Sequence, residues 1–173
     1  IGLVGSEMCI RDRVDTILLN GCECEPLLTA DHRVLLEYAD DIIFGLKAVL
    51  KTTGAEKGII VIEDNKPDAI ELMQKKVADI GNMEVFVAKT KYPQGAEKTL
   101  VETCTGREVP QFGPSGKPGL PADVGCVIMN VTSVSTLGKF LKTGIPLVTK
   151  RVTVEGDAIA KPQNIEVPIG TLY

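Results

Sequence analysis

The sequence predicts an α/β protein with a mostly parallel sheet and helices packed on both of its faces. Short apolar runs rich in β-branched residues alternate along the chain with longer stretches in which apolar residues recur at helical spacing. Turns that contain glycine, proline or asparagine separate the two kinds of segment. Parallel strands require crossover connections long enough to hold a helix, so this alternation indicates a parallel sheet.

Four apolar runs are the predicted strands, and stretches of helical periodicity follow them. The predicted strands are residues 14–19, 58–62, 84–88 and 124–129. The predicted helices are residues 29–53, 67–80, 96–105 and 132–142. The first of these is either one helix or two helices with a break near residues 38–40. Residues 109–121 are rich in proline and glycine, which predicts an extended loop.

Individual residues mark the ends of these elements. Asn20 and Gly21 close the first strand, while Asn65 and Pro67 predict an N-cap and a first-turn residue for the second helical stretch. A glycine follows three of the predicted helices, as a C-cap requires. These glycines are Gly54, Gly106 and Gly144.

The pattern changes near residue 148. There the sequence VTKRVTVEGD predicts a strand and a turn, and IEVPIG predicts a second strand after a proline-containing connection. We therefore expect a main domain at residues 14–147 and the start of a separate β-rich module at residues 148–173.

Composition excludes several classes of protein. With 173 residues, 44% of them hydrophobic and 24% charged, the chain can bury the core of a globular domain. No apolar run reaches the roughly 18 to 20 residues that a transmembrane helix needs. The net charge of -4, the lack of basic clusters and the 4% aromatic content argue against nucleic acid as a partner. Five cysteines without a secretion signal indicate reduced thiols in the cytosol.

Residues 1–13 fit nothing in the pattern that follows them. The sequence IGLVGSEMCIRDR lacks the charged start, long apolar stretch and cleavage site of a signal peptide. Its segment EMCIRDR looks like a translated adapter of the kind used to prepare sequencing libraries. We therefore expect a non-native leader here, leave Cys9 out of the candidate site, and expect the natural protein to extend beyond both ends of residues 14–173.

Three loops that follow predicted strands carry the candidate site, because ligands of open parallel sheets bind beyond the carboxyl ends of the strands. The first loop, residues 20–26, has the sequence NGCECEP. Glu23 and Glu25 are two residues apart, so an extended loop places both carboxylates on one side. They can accept hydrogen bonds from ribose hydroxyls or an amide, while Asn20 offers both a donor and an acceptor. The alternative is that both acids only stabilise the start of the next helix.

The second loop, residues 92–97, has the sequence YPQGAE and leads into a helix. Gly95 allows the backbone to approach a ligand, the helix N-terminus favours phosphate, and Tyr92 offers a flat face. The third loop, residues 129–132, contains Asn130, whose amide can hydrogen-bond a flat heterocycle. Ordinary helix N-termini are an equally good interpretation of both loops.

Together the three loops carry a family resemblance. The strings NGCECEPLLTADHR, KYPQGAEKTL, LPADVGCVIMNV and VTVEGDAI occur in this order. Residues 14–173 thereby resemble the C subunit of Rnf electron-transport complexes and, more distantly, the NADH-oxidising flavoprotein subunit of respiratory complex I. The resemblance implies a Rossmann-like domain that binds FMN and NAD(H), followed by the start of a β-grasp ligand-binding module. It also implies two [4Fe–4S] clusters in a part of the protein beyond residue 173.

The resemblance assigns the cofactor contacts to an acidic first loop, a second nucleotide loop and a flavin-side asparagine. The implied cofactor-binding residues are Asn20, Glu23, Glu25, Tyr92, Gly95, Glu97 and Asn130. Two positions depart from the complex I relatives. Those proteins have an aspartate where this chain has Cys22, and they have two adjacent acids where this chain has Ala96 followed by Glu97. The glycine-rich loop that holds the FMN phosphate in this family would lie upstream of Val14.

The implied function is that of a peripheral electron-transfer subunit in a membrane-bound, ion-translocating ferredoxin:NAD⁺ oxidoreductase. Such a subunit is an NAD-linked oxidoreductase at the cytoplasmic face of the bacterial cell membrane. Its partners are the other subunits of the complex, with ferredoxin and NAD(H) as redox partners. We expect residues 1–173 alone to be inactive, because the phosphate loop and the clusters would lie outside them. The alternatives are a relative associated with cobalamin reductase or proline reductase, or a non-catalytic scaffold subunit that has lost flavin.

Overall fold

The computed structural model describes residues 14–113 and 116–172, so the expected leader at residues 1–13 lies outside the described residues. The strands are β1 (Thr16–Gly21), β2 (Lys57–Glu63), β3 (Met83–Ala88), β4 (Cys126–Asn130), β5 (Thr149–Val154) and β6 (Gln163–Pro168). The helices are α1 (Ala30–Glu37), α2 (Ala39–Thr53), α3 (Pro67–Val77), α4 (Glu97–Thr105) and α5 (Val131–Thr143), and a short 3-10 helix (Pro121–Val124) precedes β4.

The first four strands form one parallel sheet in the order β3-β2-β1-β4. In this sheet Asn20 of β1 lies beside Val61 of β2 on one side and Asn130 of β4 on the other. Strands β2 and β3 lie on one side of β1, and β4 lies on its other side, so the strand order reverses at β1. Ligands of such sheets bind where the order reverses, at the carboxyl ends of the strands. The structure confirms the predicted Rossmann-like α/β class.

Helices cover both faces of the sheet. On one face α1, α2, α3 and α5 enclose the larger apolar cluster, which includes Ile17 and Ile60. On the opposite face Leu100 and Val101 of α4 pack in a smaller cluster with Leu18. Successive residues of a strand point to opposite faces, so the middles of β1 (residues 17–19) and β2 (residues 59–62) are continuously apolar because both faces are buried.

The helix ends agree with the sequence signals in most places. The break expected near residues 38–40 is at Tyr38, which separates α1 from α2. The three glycines that follow α2, α4 and α5 all have the left-handed backbone of a C-cap. The start of β4 is later than predicted, because residues 121–124 form the 3-10 helix and Gly125 ends it.

One predicted cap is wrong. Pro67 is the first residue of α3, as expected, but Asn65 does not cap this helix. Lys66 occupies the N-cap position, and the Asn65 Oδ1 atom accepts a hydrogen bond from Lys66 Nζ at 3.0 Å. The asparagine is therefore used to hold a lysine side chain instead of a helix terminus.

Strands β5 and β6 form an antiparallel hairpin, as the change of pattern near residue 148 predicted. The hairpin packs against the main domain: the Arg151 guanidinium lies 3.7 Å from the centre of the Tyr38 ring. The Arg151 Nη1 atom donates a hydrogen bond to Ser135 of α5 at 3.2 Å. Within the hairpin, the Arg151 Nε atom donates a hydrogen bond to Glu166 of β6 at 3.0 Å. The β-grasp assignment and the boundary at residue 148 stay predictions.

Within the part of the chain that the structure describes, no helix is both long and apolar enough to cross a membrane.

Candidate functional site

A cleft of about 370 Å³ opens at the carboxyl edge of the sheet, between the first loop and the second loop. We call it the edge cleft. Ten residues line it: Cys22, Glu23, Cys24, Glu25, Leu28, Asp31, Tyr92, Pro93, Gly95 and Ala96. Four of the seven predicted site residues are in this set. The other three, Asn20, Glu97 and Asn130, are outside it.

Asn20 joins the two loops that form the edge cleft. Its Nδ2 atom donates to the Gly95 carbonyl oxygen at 2.9 Å, and its Oδ1 atom accepts from the Cys22 amide at 3.0 Å. A Cβ atom on Gly95 would lie 2.7 Å from the Cys22 carbonyl oxygen, which real structures do not allow. Gly95 therefore permits the close approach of one loop to the other, and Asn20 fixes it.

Glu23 caps α1 from the first loop. Its carboxylate oxygens accept hydrogen bonds from the backbone amides of Asp31 at 2.9 Å and His32 at 3.2 Å. Thr29, at the N-cap position, makes no side-chain cap bond, so Glu23 takes that role. Burial raises the pKa of Glu23, and the two amide hydrogen bonds oppose this shift. Glu23 therefore stabilises the start of the next helix, which is the alternative that the sequence left open, and its side chain also lines the edge cleft.

Glu25 and Tyr92 present exposed side chains to the edge cleft from opposite loops. Tyr92 is 69% exposed, which leaves its ring face accessible to a ligand. An exposed carboxylate opposite an exposed aromatic ring offers a hydrogen-bond acceptor and a stacking surface in one cleft.

Asn130 and Asp31 join the starts of α5 and α1. Asn130 Oδ1 accepts from the Thr132 amide at 2.8 Å and so caps α5, while its Nδ2 atom donates to Asp31 Oδ2 at 2.8 Å. The Thr132 hydroxyl donates to Asp31 Oδ1 at 2.6 Å. Helix capping, the alternative weighed for Asn130, is therefore what its side chain does here.

Sequence reasoning missed Asp31, although it lines the edge cleft. The available signal was an acid in the first turn of the helix that follows an acidic loop. Glu97, by contrast, is the first residue of α4 and favours that helix terminus through the macrodipole. The neighbouring Ala96 lines the edge cleft in its place.

The thiols near the edge cleft are not arranged as a metal centre. Cys22 is buried, and burial raises its pKa to about 12, so its sulfur is a neutral thiol at physiological pH. Cys24 is half-buried at the wall of the cleft. No group of three or more histidine, cysteine, aspartate or glutamate side chains within the described residues can hold a metal ion.

The lining of the edge cleft is acidic, with carboxylates from Glu23, Glu25 and Asp31 and neither lysine nor arginine among the described lining residues. Carboxylates accept hydrogen bonds from hydroxyl and amide donors but repel phosphate. These residues therefore fit the ribose hydroxyls, the carboxamide and the ring of a nucleotide cofactor. They do not fit its phosphate, which requires amide or cationic donors from elsewhere.

Known proteins with similar sequences are C subunits of oxidoreductase complexes. The chain is 49% identical over 161 residues to the C subunit of the Na⁺-translocating ferredoxin:NAD⁺ oxidoreductase complex of Acetobacterium woodii. It is 48% identical to the C subunit of the proton-translocating complex of Clostridium ljungdahlii, and 38% identical to the C subunit of the ion-translocating oxidoreductase complex of Vibrio cholerae. These relatives confirm the resemblance to the C subunit of this class of complex.

The match covers different shares of the chain and of its relatives. It covers 93% of the chain for the first two relatives and 92% for the third. The chain spans about a third of the length of the first two curated relatives and about a fifth of the third, since the covered shares are 35%, 34% and 20%.

A solved structure shows the same fold. The crystal structure of the air-oxidised NAD⁺-reducing [NiFe]-hydrogenase matches with a TM-score of 0.73 and 22% identity, over 95% of this chain and 32% of the hydrogenase chain. The family described as the Nuo51 FMN-binding domain matches residues 6–139, which is most of the chain. The chain therefore belongs to the Nuo51 FMN-binding domain family.

Proposed function

We propose that the edge cleft binds NAD(H) beside FMN, and that the chain is part of the peripheral electron-transfer subunit of an ion-translocating ferredoxin:NAD⁺ oxidoreductase. The observation that carries the proposal is the pairing of an acidic loop with an aromatic loop, held together by the Asn20 hydrogen bond to Gly95. The similarity to the C subunits of three such complexes supports it.

Each residue of the edge cleft has a defined task in this proposal. The Glu25 carboxylate accepts hydrogen bonds from ribose hydroxyls, as a charged acceptor in a partly desolvated cleft does most strongly. Tyr92 supplies a flat surface for a base or a nicotinamide ring. Asn20 and Gly95 keep these two groups at a fixed separation, which is a condition for holding two rings in reacting geometry.

FMN, when bound, supplies the chemistry of taking up two electrons with a hydride and releasing them singly. The edge cleft suits its ring and hydroxyls but not its phosphate. Asn20 of the acidic first loop and Asn130, the expected flavin-side asparagine, both use their side-chain amides within the fold. Their task in this proposal is to position the first loop and the start of α5 around the cofactor.

The wider setting follows from the same proposal. In this proposal ferredoxin and NAD(H) are the redox partners of the complex, and two [4Fe–4S] clusters outside residues 1–173 would supply single-electron transfer. The protein lies at the cytoplasmic face of the cell membrane, against the other subunits. In this proposal residues 1–173 alone do not transfer electrons, because the clusters lie in another part of the protein.

Equilibrium binding tests the proposal without requiring turnover. NADH is titrated into the chain by calorimetry, with and without FMN, and ADP-ribose is titrated as a probe that keeps the riboses, the adenine and the pyrophosphate but lacks the nicotinamide ring. We expect saturable binding of NADH that Glu25→Gln weakens. A wild-type chain that binds neither NADH nor ADP-ribose at millimolar concentration would overturn the proposal and favour the scaffold alternative.

A further inference from the structure

The β5–β6 hairpin holds Thr29, the residue that precedes α1. The Asn164 Nδ2 atom of β6 donates hydrogen bonds to the Thr29 hydroxyl oxygen at 2.8 Å and to the Thr29 carbonyl oxygen at 3.3 Å. The Thr29 backbone amide donates to the Thr153 hydroxyl oxygen of β5 at 3.2 Å. The amide, the carbonyl and the hydroxyl of Thr29 therefore all bond to the hairpin.

Thr153 and Asn164 form a cross-strand pair that is arranged for these contacts. They lie opposite each other in the β5–β6 register, and the Thr153 hydroxyl donates to Asn164 Oδ1 at 2.7 Å. A hydroxyl has one proton, so the Thr153 oxygen serves only as an acceptor toward Thr29. The Asn164 oxygen is occupied by Thr153, and its Nδ2 donor therefore faces Thr29. The pair thus matches the donor and the acceptors of this one residue.

Thr29 links the hairpin to the start of α1. It occupies the N-cap position of this helix, where a threonine hydroxyl commonly accepts a hydrogen bond from an amide of the first turn. Here the Thr29 side chain makes no cap bond, accepts from Asn164 instead, and leaves the cap to Glu23 of the first loop. Asp31, two residues after Thr29, lines the edge cleft. The start of α1 is thus held by Glu23 from the first loop and by Thr29 from the hairpin.

The backbone between the first loop and Thr29 is strained. Leu27 has a φ of 71°, in the left-handed region that residues other than glycine rarely adopt. Its side chain is 65% exposed, so apolar packing does not fix this conformation. Glu25 before Leu27 and Leu28 after it both line the edge cleft. Strained backbone persists only where neighbouring contacts hold it, and the bonds of Thr29 to the hairpin are such contacts.

The hairpin has a second attachment that does not involve Thr29. Arg151 stacks on Tyr38, which follows the last residue of α1, at the opposite end of this helix from Thr29. Loss of the Thr29 contacts therefore leaves the hairpin docked. Docking of the hairpin and restraint of Thr29 are consequently separable by mutation.

We propose that Thr153 and Asn164 are positioning residues of the edge cleft, which hold Thr29 and so keep the strained segment after Glu25 in the conformation that binds the nucleotide. Thr153 belongs to the string VTVEGDAI, to which the chemistry of the cleft itself gives no task. The hairpin thereby contributes to the site although none of its described residues lines the edge cleft. The inference rests on the proposed function, because it assumes that the edge cleft binds NAD(H).

Removal of one hydroxyl tests the inference. Thr153→Val keeps a branched side chain suited to a strand but removes the acceptor for the Thr29 amide, and Thr153→Ser restores a hydroxyl. Asn164→Leu removes the other half of the pair. The matched control is Thr149→Val, which removes a hydroxyl of the same strand that donates to Glu166 within the hairpin at 2.7 Å. For each 173-residue chain we measure the NADH dissociation constant, the melting temperature and the hydrogen exchange of residues 149–168.

We expect Thr153→Val and Asn164→Leu to bind NADH about threefold to tenfold more weakly than the wild type, as for the loss of one or two hydrogen bonds. Their melting temperatures should stay within a few degrees of the wild type, and exchange in the hairpin should stay slow, because Arg151 still docks it. Thr153→Ser and Thr149→Val should bind NADH with an affinity within about twofold of the wild type.

A folded Thr153→Val variant with wild-type affinity would overturn the inference and leave the proposed function standing. So would a serine variant as weak as the valine variant, an equal loss of affinity in Thr149→Val, or a loss of affinity accompanied by fast exchange throughout the hairpin. Should Thr153→Val fail to fold, the affinity of Asn164→Leu decides the matter. A wild-type chain without measurable affinity for NADH would instead refute the proposed function and the inference with it.

Discussion

Glu23 and Glu25 are two residues apart in the first loop, yet their carboxylates have different surroundings. Glu23 is half-buried and accepts two backbone amides of α1. Glu25 is exposed at the wall of the edge cleft. Loss of the first carboxylate should therefore affect folding, and loss of the second should affect ligand binding.

The first prediction concerns Glu25→Gln. A charge-assisted hydrogen bond from a nucleotide hydroxyl contributes about 1.5 to 3 kcal/mol, so its loss should weaken NADH binding roughly tenfold to a hundredfold. The melting temperature should stay unchanged, because an exposed loop acid contributes little to the core. Calorimetric titration and thermal unfolding of the same sample measure both quantities.

Glu102→Gln is the matched control, since Glu102 is an exposed acid on α4 away from the lining of the edge cleft. It should bind NADH with wild-type affinity. Equal affinities of the Glu25 variant, the Glu102 variant and the wild type would remove Glu25 from the binding site.

The second prediction concerns the ionisation of Glu23. Burial raises its pKa above the ordinary value of 4.5, so the folded protein holds this proton more tightly than the unfolded chain does. The stabilising contribution of the group is fully present below pH 4.5 and is lost as the pH rises through the higher pKa of the folded state. Glu23→Gln, which cannot ionise, should therefore gain in melting temperature relative to the wild type between pH 4 and pH 7.5.

Glu23→Ala provides the contrast, because alanine removes both cap hydrogen bonds to α1. Its unfolding free energy should fall by about 1 kcal/mol at pH 4, as for the loss of a helix cap, and by less at pH 7.5, because alanine, like glutamine, cannot ionise. Thermal unfolding of the three proteins at the two pH values checks the signs. A glutamine variant that loses stability relative to the wild type as the pH rises would show that the amide hydrogen bonds outweigh burial at Glu23.

At the scale of elements, the approach of the first loop to the second loop depends on a glycine. The third prediction is that Gly95→Ala forces the loops apart, because its Cβ atom would lie 2.7 Å from the Cys22 carbonyl oxygen. Strain of this kind costs about 1 to 3 kcal/mol, which corresponds to roughly 2 to 10 °C in melting temperature for a chain of this size. NADH affinity should fall together with the melting temperature.

Gly81→Ala is the control for this substitution, since a Cβ atom on Gly81 meets nothing within 4 Å. It should leave the melting temperature and NADH affinity unchanged. If Gly95→Ala kept NADH affinity while losing stability, the contact between the loops would be a feature of folding alone.

The sequence predicted most elements because their signals are local. The break at Tyr38, the glycine C-caps and Pro67 as a first-turn residue all depend on backbone preferences within a few positions. Asn65 was misassigned for the same reason. Asparagine before a helix favours capping, but here a tertiary contact with the Lys66 ammonium uses its side chain instead.

The candidate site could be predicted only in part. The order of loops after parallel strands placed Glu25, Tyr92 and Gly95 at one edge, as the edge cleft shows. The predicted second strand ended at residue 62, so nothing identified Glu63 as a buried charge. Its burial depends on the pairing of β2 with β3, where Glu63 lies in register with Ala88, about 25 residues later in the chain, and no local pattern carries that information.

At the scale of the whole molecule, the β5–β6 hairpin is fastened to the main domain by polar contacts more than by an apolar core. Arg151 stacks on Tyr38 at the junction of α1 and α2, and it donates a hydrogen bond to Ser135 of α5. A second contact joins Asn164 of β6 to the Thr29 hydroxyl at 2.8 Å. The hairpin thus contacts the same helix, α1, whose N-terminus forms part of the edge cleft.

The last prediction is that Arg151→Ala releases the hairpin while the main domain stays folded. The substitution removes a stacked cation, which contributes about 0.5 to 2 kcal/mol, and the hydrogen bond that the Arg151 Nη1 atom donates to Ser135 of the main domain. Hydrogen exchange should therefore accelerate at the backbone amides of residues 149–168 and stay slow in β1 and β2, whose amides pair within the central sheet. Lys150→Ala, at an exposed neighbouring position of β5, should leave both regions unchanged. Faster exchange in β1 as well would show that hairpin and domain unfold as one cooperative unit, and unchanged exchange in the hairpin would show that its docking does not depend on Arg151.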